Sequence, residues 1–144
     1  MDNLQQYIQE KLKISETSFM LEKLKINSKT KIIKYNYYPK DVYELRDLLE
    51  KLINERGENA DLNDIDTSKV KYMHNLFHGL DPHNINISQW DVSNVEDMRG
   101  MFWNCRNFNC NLNNWNVKKD VIMNNMFLGT PLEKNPPKWY KIYF

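Results

Sequence analysis

Residues 62–127 repeat at a fixed interval, and that interval restricts the fold more than any other feature of the chain. Trp90 and Trp115 lie 25 residues apart, and the rest of the pattern keeps the same offset. Leu62, Ile87 and Leu112 correspond, as do Ile65, Trp90 and Trp115, and Thr67, Val92 and Val117. Further along, Met73, Met98 and Met123 match, then Leu76, Met101 and Met126, then Phe77, Phe102 and Phe127. Six positions agreeing in three copies without an insertion exclude coincidence. A unit this short cannot bury an apolar face alone, so it must stack on its neighbours, and about three units are needed for stability.

The unit has two halves with different periods. Ile87–Val92 places Trp90 and Val92 two residues apart, which predicts a short strand. Val95, Met98, Met101 and Phe102 have helical or 3₁₀ spacing. Ser93 precedes that stretch with Glu96 three residues later, the pattern of a capping box. One strand and one short helix per unit predict an α/β repeat, a short leucine-rich-repeat-like solenoid of three coils. Copy one carries Ile65 and Thr67 where the middle copy has Trp and Val. Copy three has Asp120 in the place of Val95, with Val121 able to take the buried position after a local shift.

The run Trp90-Asp91-Val92-Ser93-Asn94-Val95-Glu96-Asp97-Met98-Arg99-Gly100-Met101-Phe102 resembles the repeat of the BspA-like leucine-rich-repeat family, the DUF285 type. The resemblance covers residues 59 to about 134. It implies a solenoid with a binding role, since members of that family are described as bacterial surface or adhesion proteins with export leaders. Met1–Gln6 shows no basic leader region and no apolar core follows, so the chain resembles the short leaderless versions encoded by phages and prophages of gut bacteria. A cytoplasmic location follows as the expectation, or a virion-associated one if the chain is phage-encoded.

The flanks read as caps. Leu4, Tyr7, Ile8 and Leu12 predict an amphipathic helix over 2–13, so residues 1–28 form a helix and linker. Residues 29–58 form a strand–helix cap: a β-rich run over 31–38, then a helix started by Asp41 with Glu44 three residues on and stopped at Gly57. Val42, Leu45, Leu48, Leu49, Leu52 and Ile53 share one side of it. The three coils occupy 59–134 and a C-terminal cap 135–144. Pro131, Pro136 and Pro137 are expected to bar another coil, with Leu132, Trp139, Tyr140, Ile142, Tyr143 and Phe144 sealing the end.

Charge excludes some functions. Lys and Arg number 20 against 19 Asp and Glu, a net charge of +1, and a nucleic-acid binder needs a strong basic excess. Only the first 40 residues are locally basic, through Lys11, Lys13, Lys23, Lys25, Lys29, Lys31 and Lys34. No run approaches the ~18 apolar residues of a membrane span. Two cysteines are too few for a disulfide scaffold.

Candidate sites are sparse. His74 and His78 have the spacing of a metal pair, but Asn75 stands where a zinc-protease glutamate would be, and the template places both among ordinary surface or packing positions. Cys105 and Cys110 fall on semi-apolar template positions without an implied base, which predicts structural cysteines. Met73, Met98, Met101, Met123 and Met126 are core residues of the template. No phosphate-binding loop, nucleophile elbow or carboxylate pair appears, so no enzymatic activity, metal or cofactor is expected. The polar columns are the candidate partner-binding face: Asn63, Ser88 and Asn113; Asp64, Gln89 and Asn114; Asp66, Asp91 and Asn116. Asp61, Asn86 and Asn111 stack in register beside them. The same columns also fit a ladder of hydrogen bonds that merely satisfies the stack. An acidic edge of Asp61, Asp64 and Asp66 offers fewer converging oxygens than Ca²⁺ takes. The expected function is protein–protein interaction through this face, with the oligomeric state open. The alternatives are a packaged virion protein attached through residues 1–28, and a phage inhibitor of a host defence complex.

Overall fold

The computed structural model describes residues 34–140, so the helix expected over 2–13, the start of the 31–38 run, and Ile142, Tyr143 and Phe144 lie outside the described residues. Helix α1 spans Val42–Arg56. Asp41 starts it, its carboxylate accepting the Glu44 N–H at 2.9 Å, while the Glu44 carboxylate accepts the Lys40 N–H at 2.8 Å. The first bond satisfies a donor that the first turn leaves without a partner, and the second ties the residue before the cap to the same turn. Leu45, Leu49 and Leu52 are fully buried, and Val42, Leu48 and Ile53 pack at the margin of the same core.

Two arginines tie α1 to the first repeat unit. Arg46 donates to the Leu76 carbonyl at 2.9 Å. Arg56 donates to the Asp61 carbonyl at 2.8 Å and grips both carboxylate oxygens of Asp64 at 2.8 and 2.9 Å. Tyr37 forms a parallel bridge with Ile65, and the Arg56 guanidinium lies 5.8 Å over the Tyr37 ring.

Successive units bond through their backbones at one offset. The N–H groups of Leu62, Met73, Asn75 and Phe77 donate to the carbonyls of Asn86, Asp97, Arg99 and Met101. One unit later Met98, Gly100, Phe102 and Asn104 donate to Ile122, Asn124, Met126 and Leu128. Parallel bridges join Asp61 to Asn86, Tyr72 to Asp97 and Asp97 to Ile122. The core repeats with the backbone. Phe77, Phe102 and Phe127 stack at centroid distances of 5.1 and 5.7 Å, and Trp90, Trp115 and Trp139 at 6.5 and 6.1 Å. Each indole N–H also reaches back one unit, to the Leu62, Ile87 and Leu112 carbonyls.

Inside a unit the backbone differs from the expected strand and helix. Residues 87–92 carry a turn, and 95–102 hold a single bridge followed by turns. Trp90 bonds back to Ile87, Val95 to Val92, Met101 to Met98 and Cys105 to Phe102, each closing a four-residue reverse turn. Side chains explain the difference. Asn86 and Asp91 accept the N–H groups of Ser88 and Ser93, which an extended ladder would have used. The expected capping box is absent, because the Ser93 hydroxyl donates to Asp91 and the Glu96 N–H donates to the Lys71 carbonyl.

Two columns of left-handed residues complete the turn geometry. Asn75, Gly100 and Asn125 have φ of 53°, 59° and 57°, and Gly79, Asn104 and Gly129 have 79°, 59° and 80°. Only Gly, Asn and Asp adopt this conformation cheaply. Asn and Gly alternate down each column because the Asn side chain of one unit covers the next unit's glycine. A Cβ on Gly100 would lie 2.3 Å from Asn75 Oδ1, and one on Gly129 2.5 Å from Asn104 Oδ1.

Deviations from the template are absorbed locally. Thr67 is buried in place of valine, and its hydroxyl donates to the Asp91 carbonyl at 2.9 Å. In the third copy Val121 is buried and Asp120 exposed. The C-terminal prolines do not end the pattern at once. Tyr140 bonds back to Pro137 as Trp115 does to Leu112, and the Lys138 N–H donates to Asn113 Oδ1 as Gln89 does to Asn63 Oδ1. Residues 137–140 thus begin a fourth copy of the turn, preceded by a 3₁₀ turn at Pro131–Glu133 that Thr130 caps.

Candidate functional site

The polar columns turn much of their capacity onto the chain itself. Asp61, Asn86 and Asn111 each hold the N–H two residues ahead, on Asn63, Ser88 and Asn113. Asp66 and Asp91 do the same for Ser68 and Ser93. Asn63 and Asn113 bond the following turn through Gln89 and Lys138. Asp64 is committed to Arg56 and to Asn36, 2.8 Å away. Asp91, Asn113, Asn114 and Asn116 remain exposed, while Asn63, Asp64, Asp66, Ser88 and Gln89 are half-buried.

A second surface lies on the bridged columns. Met73, Met98 and Met123 are buried, and several residues beside them are exposed. Tyr72 and Ile122 are exposed there, and Arg99 flanks Asp97 between them. The column His78, Trp103 and Leu128 is also exposed, with the first two rings stacked at 5.1 Å. Tyr38 and Tyr43 add further exposed rings near the start of α1. Sequence reasoning read His78 as an ordinary surface or packing position and did not single out Tyr72 or Ile122. The signal was an apolar residue beside, not on, a core position, at Tyr72 and Ile122.

Asp97 is the buried charge beneath this surface, only 6% exposed. Burial pushes its carboxyl up, but hydrogen bonds from the Arg99 guanidinium and N–H, with the charges of Arg99 and His74, more than offset that and hold it below the usual carboxylate range. Asp64 is likewise lowered, first by its hydrogen bonds from Arg56, against the cost of burial.

Cys105 is buried, and its thiol donates to the Phe77 carbonyl at 3.6 Å. Burial pushes the thiol up to about 12, so it is protonated at neutral pH and a poor nucleophile. Cys110 is raised by burial too. His74 and His78 are exposed. His83 lies 3.3 Å from Glu58 and 3.6 Å from Asp81. Among the described residues no group of three or more His, Cys, Asp or Glu side chains is placed to hold a metal ion, and no helix is long and apolar enough to cross a membrane.

No curated protein and no solved structure matches the chain. The register of turns, stacked rings and backbone bonds instead runs through a segment that one family model describes. Residues 15–139 match the model of the family described as Mycoplasma protein of unknown function, DUF285, and the chain belongs to that family.

Proposed function

We propose that the chain is a non-catalytic protein–protein interaction module whose units wind as three coils of a short leucine-rich-repeat-like solenoid. The partner meets the surface that carries Tyr72, Trp103, Ile122 and Leu128. One observation supports this most: large apolar side chains stand exposed in repeat register on the outside of a continuous backbone ladder. Aligned exposed apolar groups of this kind mark binding surfaces. Tyr and Trp are also the residue types that dominate binding energy at such surfaces. The Asn and Asp columns hold the turns in place, and Gln89, Asn114 and Asn116 form the polar margin.

Affinity purification of the tagged full-length chain from the cells that make it tests the proposal. Wild type is expected to retain a stoichiometric partner, as is a version lacking residues 1–28. The double variant Trp103→Ala, Ile122→Ser is expected to lose it. A partner kept by that variant but lost with residues 1–28 would overturn the proposal in favour of attachment through the N-terminal segment.

A further inference from the structure

At the end of this surface, Lys40, Val42, Tyr43, Lys69, Lys71, Tyr72 and His74 line a groove of about 380 Å³. From its composition we infer that the groove binds an acidic segment of a partner protein, with an apolar side chain of that segment seated between Tyr43 and Tyr72. The inference rests on the interaction reading above and specifies the partner's chemistry.

Two features of the groove carry it. Tyr43 and Tyr72 are 76% and 51% exposed, so an apolar side chain entering between them buries area on both rings. Around them stand three lysines, and none of these has an ion-pair partner among the described residues. The single lining carboxylate, Asp41, already accepts the Glu44 N–H. At the start of α1 Asp41 holds the Glu44 N–H and Glu44 the Lys40 N–H, and the three lysines supply the groove's positive side chains.

Charge also sorts the occupants. The chain's own first 34 residues hold seven lysines against four acidic residues, so they lack the acidic excess that three lysines would favour. Nucleic acid needs a long basic track, whereas this chain carries a net charge of +1 and the groove centres on two tyrosines. An acidic peptide with one apolar anchor matches both the lysines and the rings.

The test uses the full chain and fluorescein-labelled peptides read by anisotropy. The probes are a Glu/Asp-rich peptide with one central Phe, the same peptide with Ala for Phe, its Lys-for-Glu counterpart, and a single-stranded oligonucleotide. Binding of the Phe peptide is expected. It should weaken about tenfold with the Ala peptide and with Tyr72→Ala, as loss of an aromatic anchor implies. It should disappear with the Lys peptide and with the chain variant Lys69→Glu, Lys71→Glu. All substituted residues are exposed, and circular dichroism verifies the fold. Should Tyr72→Ala perturb it, Tyr43→Ala replaces it. Equal binding of the Ala peptide, equal or tighter binding of the oligonucleotide, or binding unaffected by the lysine reversal would each overturn the inference. Cellular partner capture that survives Lys69→Glu, Lys71→Glu but not Trp103→Ala, Ile122→Ser would sink the groove while leaving the interaction module standing.

Discussion

Single residues decide whether one unit fits the next. Gly100 combines a left-handed backbone with the closest approach in the repeat, Asn75 Oδ1 against its missing Cβ. Gly100→Ala should therefore cost about 1–2 kcal/mol in urea unfolding, from the left-handed backbone alone. Combining it with Asn75→Gly should cost less than the sum of the two single changes, because the second removes the atom the new methyl meets. Asp64 acts at the same scale. Its folded carboxyl titrates below the ordinary 3.8, so its contribution is complete above about pH 4 and fades as pH falls through the lower folded value. Asp97 adds in the same direction. The thermal midpoint should drop on acidification below about pH 4, and Asp64→Asn should reduce both neutral stability, by about 1 kcal/mol, and the steepness of the drop. An acid titration of wild type and variant checks both.

At the scale of elements, the core was legible in the sequence and the backbone path was not. Phe77, Phe102 and Phe127 announced themselves because buried positions repeat in kind and in spacing. The α1 boundaries were legible too, since Asp41, Glu44 and Gly57 are strong local signals. The turns were hidden. Trp90 and Val92 imitate a strand, whereas they belong to separate turns fixed by Asn86 and Asp91 side chains, and such Asx bonds leave no apolar period. The fourth turn was masked because Trp139 follows Trp115 by 24 residues and Pro137 occupies the place of Leu112. The polar columns suggested a binding face, and some of the same residues, Asp66 and Asp91 among them, also close turns. The indole donors give the element-scale prediction. Trp115→Ala should cost about 3–5 kcal/mol by chemical denaturation, combining a cavity with a lost bond. Trp139→Phe keeps an aromatic ring but loses the bond to Leu112 and part of the indole's volume, so about 1–2 kcal/mol is expected.

For the whole molecule, the proposed solenoid implies that stability is set by neighbour-to-neighbour contacts and by the two ends. Helix α1 covers one end with Leu45, Leu49 and Leu52, and the partial fourth turn with Trp139 and Tyr140 follows the last unit. Leu49→Ala should then destabilise the entire array by about 3–5 kcal/mol, with the ring environments of all three units melting together in near-ultraviolet circular dichroism.

The offset shared by the inter-unit bonds has one more consequence. Lys138 and Trp139 meet Asn113 and Leu112 much as Gln89 and Trp90 meet Asn63 and Leu62. In the proposed solenoid the seam between neighbours therefore recurs, and the length would change in discrete steps. A tandem duplication of the unit pair 62–111 would keep the alternating Asn and Gly columns in step, whereas duplicating 87–111 alone would set Asn104 against a second Asn104, and an insertion of twelve or thirteen residues would set core against solvent. For a lineage that copies and deletes DNA by unequal exchange, such a solenoid would change its length in pairs of units without relearning how to fold.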